Sequence, residues 1–244
     1  MALGEFDLIE RYFKRPPRRA AVGVGDDCAL IAPTPGMQLA VSSDMLVEGR
    51  HFLSTVAPER LGHKALAVNL SDLAACGAAP LAFTLALALP RADTAFLAGF
   101  SAGLFALADG HGIELVGGDT TQGPLNICIT VFGEVPAGAA LLRSGARAGD
   151  ELWVSGTLGD ARLALEVFRG LAVLPGEDFE QVRRAMEQPQ PRLALGRALR
   201  GLATSAIDVS DGLLGDLAHF LNASGVGATL DVDAVPRSAV LGRC

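Results

Sequence analysis

A chain of 244 residues, half of them hydrophobic and 19% charged, can bury a sizeable core, which excludes disorder and favours two domains over one. Its net charge of −7, with no concentrated Lys/Arg patch, argues against nucleic acid or an anionic membrane as partner. Aromatics at 5% leave few side chains for base stacking, and phosphorylated ligands would need bridging cations.

Glu5 to Lys14 places Leu8, Ile9, Tyr12 and Phe13 at helical spacing and stops at Pro16-Pro17. The acidic residues Glu5, Asp7 and Glu10 stand where a secretory signal would be basic and then apolar, so a cytoplasmic protein is expected. Val22 to Asp27, with Gly23 and Gly25, predicts an extended segment that another group approaches closely. Gln38 to Ser43 alternates as a strand and runs directly into Asp44. Pro58-Glu59 opens a helix that ends at Gly77. Leu81 to Leu89 is very apolar but far short of the ~20 residues a membrane span needs, and predicts a buried strand.

A helix over 93–108, a short strand over 113–116 and a strand over 126–135 follow. Composition shifts to Gly, Ala and Arg over 136–150, and the domain boundary is placed there, giving domains of residues 1–137 and 138–244. The second part reads as strand 151–155, helix 160–168, helix 179–187, helix 192–202, strand 205–209, helix 213–223 and strand 227–232. The order indicates an α+β fold, its N-terminal mixed sheet carrying helices on one face. Cys28, Cys76, Cys128 and Cys244 lack Cys-x-x-Cys spacing and suit a reducing compartment.

Five apolar runs end in, or are broken by, aspartate: at Asp26-Asp27, Asp44, Asp72, Asp119 and Asp208 with Asp211. A single Asp after a strand is more often a turn or cap residue, and it is the recurrence that points to one acidic site. Asn69 and Asp72, three apart on an apolar helix, share a face and would be costly to bury without a cation. Converging carboxylates raise one another's pKa, and an oxygen-only donor set suits Mg2+ better than zinc. Several Mg2+ ions on scattered carboxylates usually accompany a polyphosphate, so phosphoryl transfer leads. No Gly-x-x-x-x-Gly-Lys-Ser/Thr cradle is present, but amides near Gly117-Gly118 and at the helix after Asp211 could bind anions. Ser42 and Ser43 are strand hydroxyls or metal neighbours, His51 a structural histidine or a substrate contact, and Arg143 a solvated linker residue or a phosphate fork. Ser210 caps a helix or meets a ligand.

Together these pieces resemble the thiamine-monophosphate kinase family of the aminoimidazole-ribonucleotide-synthetase-like (PurM-like) superfamily. The carrying motifs are Gly25-Asp-Asp-Cys-Ala29, Ser43-Asp44 with Gly49-Arg-His51-Phe52, Lys64 to Ala75, Gly117-Gly-Asp119-Thr-Thr121, Arg143-Ser-Gly145 and Ile207-Asp208-Val-Ser-Asp211-Gly212. The resemblance implies direct transfer of the ATP γ-phosphate to thiamine monophosphate, with several Mg2+ ions and no phosphoenzyme. It implies Mg2+ at Asp27, Ser42, Ser43, Asp44, Asp72, Asp119, Asp208 and Asp211, of which Asp27, Asp44, Asp72, Asp119 and Asp211 act in catalysis through metal. It implies nucleotide contacts at Gly118, Asp119, Arg143 and Ser210, and the thiamine phosphate at His51. It also implies a homodimer whose N-terminal sheets join in a barrel, with strands 81–89 and 126–134 as candidate interface. The family continues past the position of Cys244 with a Gly-Gly-Glu-Asp segment and an aromatic that enclose thiamine, so the C-terminal α/β domain is expected to be incomplete. Other readings are a purine-pathway synthetase, a selenophosphate synthetase, which would want a reactive mobile Cys where Cys28 is expected to be buried, or a non-catalytic nucleotide-binding module.

Overall fold

A computed structural model describes residues 4–244. Along these residues run helix α1 (Glu5–Leu8, continued by a π-helical turn Ile9–Phe13), strand β1 (Met37–Val47), α2 (Pro58–Ala75), β2 (Ala79–Leu89), α3 (Thr94–His111), β3 (Glu114–Gln122) and β4 (Asn126–Pro136). Helices α4 (Asp160–Phe168), α5 (Gly176–Glu187), α6 (Leu193–Leu199) and α7 (Leu213–Ser224) complete the chain with two short 3-10 turns. The strands form a mixed sheet in the order β1-β4-β2-β3, in which β4 is antiparallel to both neighbours and β3 is parallel to β2. The parallel pair needs a crossover, and α3 supplies it.

Strand alternation divides the sheet into two faces. Leu85 and Leu87 of β2 and Ile127, Ile129 and Val131 of β4 are buried beneath α2 and α3, among Leu61, Leu66, Leu70, Leu73, Leu97, Phe100 and Leu104. The opposite face leaves Leu39, Val41 and Met45 of β1 about half exposed, at 49, 57 and 54%. α2 and α3 cross at contact distance because small residues meet there. A Cβ added to Gly62 would lie 2.0 Å from the Phe100 carbonyl oxygen, and one added to Gly103 would lie 1.8 Å from that of Glu59.

The second half hangs on α2. Arg60 of α2 pairs with Glu180 and, at 3.1 Å, with the buried Glu187, both of α5. Gly196 of α6 lies against the Ala74 carbonyl, where an added Cβ would come within 2.0 Å. Ala164, Val182 and Val240 form a small separate core, with Phe168 and Phe179 edge to face at 5.3 Å.

The structure corrects several expected elements. The strands expected over 151–155, 205–209 and 227–232 form no ladder among the described residues. Ala206 N–H donates to Leu142 O at 2.9 Å, but Leu152, Trp153 and Val209 stand 47, 86 and 44% exposed. Propensity alone does not make a strand, whose amides and carbonyls need a neighbour. Val22 to Asp27 likewise makes only isolated bridges, as the chain doubles back to pair Val22 with Leu30. β3, in contrast, runs on through Asp119 to Gln122. The large exposed apolar side chains of the sheet belong to β1.

Candidate functional site

Three aspartates from three elements meet where the two halves face each other. Asp44 stands on β1 in register with Ile129, so it points to the α2 side of the sheet. Ser42, two residues earlier on the same face, donates its hydroxyl to Asp72 Oδ2 of α2 at 2.5 Å. Asp208, from the segment before α7, lies close enough to raise the Asp44 carboxyl and to be raised in turn by Asp72.

All three carboxyls are held above the ordinary aspartate value. For Asp44 the cause is burial first and the Asp208 charge second, eased by His51. For Asp72 burial again leads; the Ser42 hydrogen bond and the Arg143 charge oppose it, and Asp44 adds to it. For Asp208 burial is followed by a relieving Ser71 hydroxyl and by the charges of Asp72 and Asp216. Arg143 and Asp208 come from the second half, so the site spans both halves.

His51 is partly committed, since its Nδ1 accepts the Val47 N–H at 3.0 Å, which leaves the ring proton on Nε2. Its carbonyl oxygen accepts from Lys64 Nζ at 2.8 Å. Burial lowers the Lys64 pKa, against the charge of Glu187. Lys64 tethers the His51 loop to α2 and is absent from the expected site. A lysine inside the apolar run Lys64-Ala-Leu-Ala-Val was the signal.

Asn69 corrects the pairing expected of it. Its Oδ1 accepts the Asp44 N–H at 3.1 Å and its Nδ2 donates to Ala65 O at 3.0 Å, so backbone rather than a cation satisfies this buried amide. It fixes Asp44 from behind.

Two of the remaining expected residues lie on the other face of the sheet from this cluster. Ser43 faces the uncovered side of the sheet, with its hydroxyl 2.9 Å from Thr130 Oγ1. Asp119 occupies the register of Ala86 and Cys128 on that same side. It lies three strand spacings from Asp44, roughly 15 Å. Gly118, beside it, has φ +147, and an added Cβ would fall 1.9 Å from Leu85 O, so glycine alone allows β3 this close to β2.

Asp27 is exposed on the loop between Ala20 and Thr34, and Ala29 and Ile31 of that loop pack on Ala82, Val116 and Phe132 of the uncovered face. Two buried glutamates grip the feet of the loop. Glu114 accepts the N–H groups of Arg18, Arg19 and Ala20 at 2.5, 3.0 and 2.6 Å. Glu134 accepts the Thr34 N–H at 3.0 Å and its hydroxyl at 3.1 Å. Cys28, expected to be buried, is exposed beside Asp27, because the extended run that would cover it is a loop.

Asp211 and Ser210 sit in the turn before α7. The N–H groups of Ser210, Asp211 and Gly212, in the turn that precedes α7, all go to Asp216 Oδ2, so the amides of the turn itself are not open to an anion. Among the described residues no three Asp, Glu, His or Cys groups already close on a single point as metal ligands. The donors that do converge are all oxygen, of like charge and partly desolvated, an arrangement suited to a hard cation that keeps part of its water shell.

Comparison with known proteins gives a consistent result. Residues 25–135 match the family of the AIR synthase related protein N-terminal domain, and residues 147–242 that of its C-terminal domain. The chain is 49% identical over 247 residues to the thiamine-monophosphate kinase of Salmonella typhimurium, covering 100% of itself and 76% of that relative. The crystal structure of a thiamine-monophosphate kinase from Stenotrophomonas maltophilia superposes with a TM-score of 0.89 at 45% identity, over 100% of this chain and 79% of the other. AaThiL complexed with AMPPCP and TMP superposes at 0.81 with 30% identity, over 87% and 69%. No helix among the described residues is long and apolar enough to cross a membrane.

Proposed function

The chain belongs to the AIR synthase related family and, within it, to the thiamine-monophosphate kinases, and from that premise we propose that it transfers the γ-phosphate of ATP directly to thiamine monophosphate at the Asp44–Asp72–Asp208 cluster. The reading is carried by the convergence of these three carboxyls from both halves, each raised first by burial and then by the charge of another member of the cluster. Like charges gathered this way weaken the fold unless a cation accompanies them.

Several Mg2+ ions would fit, with Ser42, Asp44, Asp72 and Asp208 as one donor set and Asp27, Ser43, Asp119 and Asp211 as further ligands at other positions; when bound, they would neutralise charge on the phosphates. The chain's own groups bind and orient. Arg143, close enough to lower the Asp72 carboxyl, forks onto a phosphate, and Gly118, Asp119 and Ser210 meet the nucleotide. His51, its proton on Nε2, donates to the acceptor phosphate, and Lys64 holds the His51 loop in place. Direct transfer needs alignment and charge neutralisation rather than a protein nucleophile.

The same reading divides the chain into domains of residues 1–137 and 138–244 and pairs two copies through the uncovered face of the sheet. That face bears Ser43 among Leu39, Val41 and Met45 on β1, and Asp119 on β3 at its far edge. Four unpaired cysteines suit a cytoplasmic setting. The test is to incubate the chain, and a form extended to its relatives' full length, with ATP, thiamine monophosphate and Mg2+ and to follow thiamine diphosphate by chromatography. Product that depends on Mg2+ is expected, and none from the extended form would overturn the proposal.

A further inference from the structure

Asp216 is a buried carboxylate, 5% exposed, that the mechanism above does not use. It lies in the first turns of α7 but faces away from its own helix. Its Oδ2 accepts three consecutive backbone N–H groups that precede α7: Ser210 at 2.9 Å, Asp211 at 3.1 Å and Gly212 at 3.1 Å. Successive amides aimed at one point form a concavity that commonly holds an external anion, and here the chain fills it with its own side chain. Gly212 makes this possible, because its φ of +117 belongs to a region that residues with a Cβ rarely adopt. An ordinary capping acid accepts from amides inside its helix, whereas this one shapes the turn outside. That turn carries Ser210 and Asp211, and the Asp216 charge also bears on Asp208.

We propose that Asp216 is a positioning residue for the Mg2+–nucleotide site: it moulds the Ser210–Gly212 turn through three backbone hydrogen bonds and touches no ligand itself. The proposal rests on the assignment of 208–211 to that site. One corollary is that the three amides of this turn are already spent, so any backbone contact to phosphate here must come from other amides.

The experiment compares Asp216→Asn, which still offers an oxygen to the three amides, with Asp216→Ala, which offers none. Binding of a non-hydrolysable ATP analogue with Mg2+ is measured by calorimetry on protein shown to be folded by circular dichroism. Asp216→Ala is expected to weaken binding by about tenfold, on the scale of one charge-assisted hydrogen bond, and Asp216→Asn to stay within about threefold of the parent. Equal losses in both variants would make Asp216 a direct ligand, and unchanged affinity in Asp216→Ala would make it a plain helix residue; either overturns the proposal. Should Asp216→Ala not fold, Asp216→Glu keeps the charge but displaces the oxygen, and parental affinity in that variant would overturn it. A parent chain that binds no nucleotide would instead sink the site assignment itself.

Discussion

Carboxylates crowded without a cation leave a signature in the pH dependence of stability. Because Asp44, Asp72 and Asp208 have folded-state pKa values above their unfolded ones, the folded chain holds these protons more tightly. Stability therefore falls as pH rises from the ordinary aspartate range through the raised values, and is regained on acidification. Asp72→Asn, which keeps the shape and the acceptor for Ser42, is expected to raise the Tm of metal-free protein at neutral pH by about 2–4 °C. By calorimetry that gain should shrink as pH falls, and the same variant should bind nucleotide and Mg2+ about tenfold less tightly, the loss of roughly one ligand interaction. A Tm difference that does not change with pH would contradict the cluster. At this scale much of the site was legible, since a polar residue inside an apolar run flags itself. What the pattern does not reveal is whom the residue serves: Asn69 and Asp72 share a helix face, yet one holds a strand backbone and the other faces the cluster. Asp216 sits in a similar run and was overlooked because its partners are amides.

Helix α2 is the element on which both halves converge, so its contacts decide whether Asp208 reaches Asp72. Gly196→Ala would drive a Cβ into the Ala74 carbonyl and lever α6 away. Overpacking of this kind costs about 1–3 kcal/mol, and a measured fall in Tm accompanied by weaker nucleotide binding is expected. A fall in Tm with unchanged binding would mean that the halves keep their alignment by other contacts. Helices were readable because the 3.6-residue period and caps such as Asp93, which accepts from Ala95 and Phe96 N–H groups, lie within one segment. Strands were less so, because a strand is a property of a pair. Glu151 to Ser155 has the right residues and no neighbour among those described. Register also separates Asp119 from Asp44 onto opposite faces, and one segment's pattern says nothing about that.

In the whole molecule, the split between an Asp44 face and an Asp119 face means that no single sheet surface presents every expected ligand. A second copy covering Leu39, Val41 and Met45 would enclose Ser43, and one reaching across the sheet to β3 would also meet Asp119; exposed apolar side chains grouped on one face mark such contacts. Val41→Asp is expected to convert a dimer to a monomer in sedimentation velocity without unfolding it, and to lower kinase activity with it. A parent chain that is already monomeric would refute the pairing. The fold class was legible from the order of elements, but this division of labour between faces was not. The chain's sole tryptophan, Trp153, stands 86% exposed in an extended segment that no strand flanks among the described residues. An indole left in water by its own fold serves as an optical reporter: whatever later lies over that segment shifts the fluorescence of one identifiable ring, with no second tryptophan to dilute the signal.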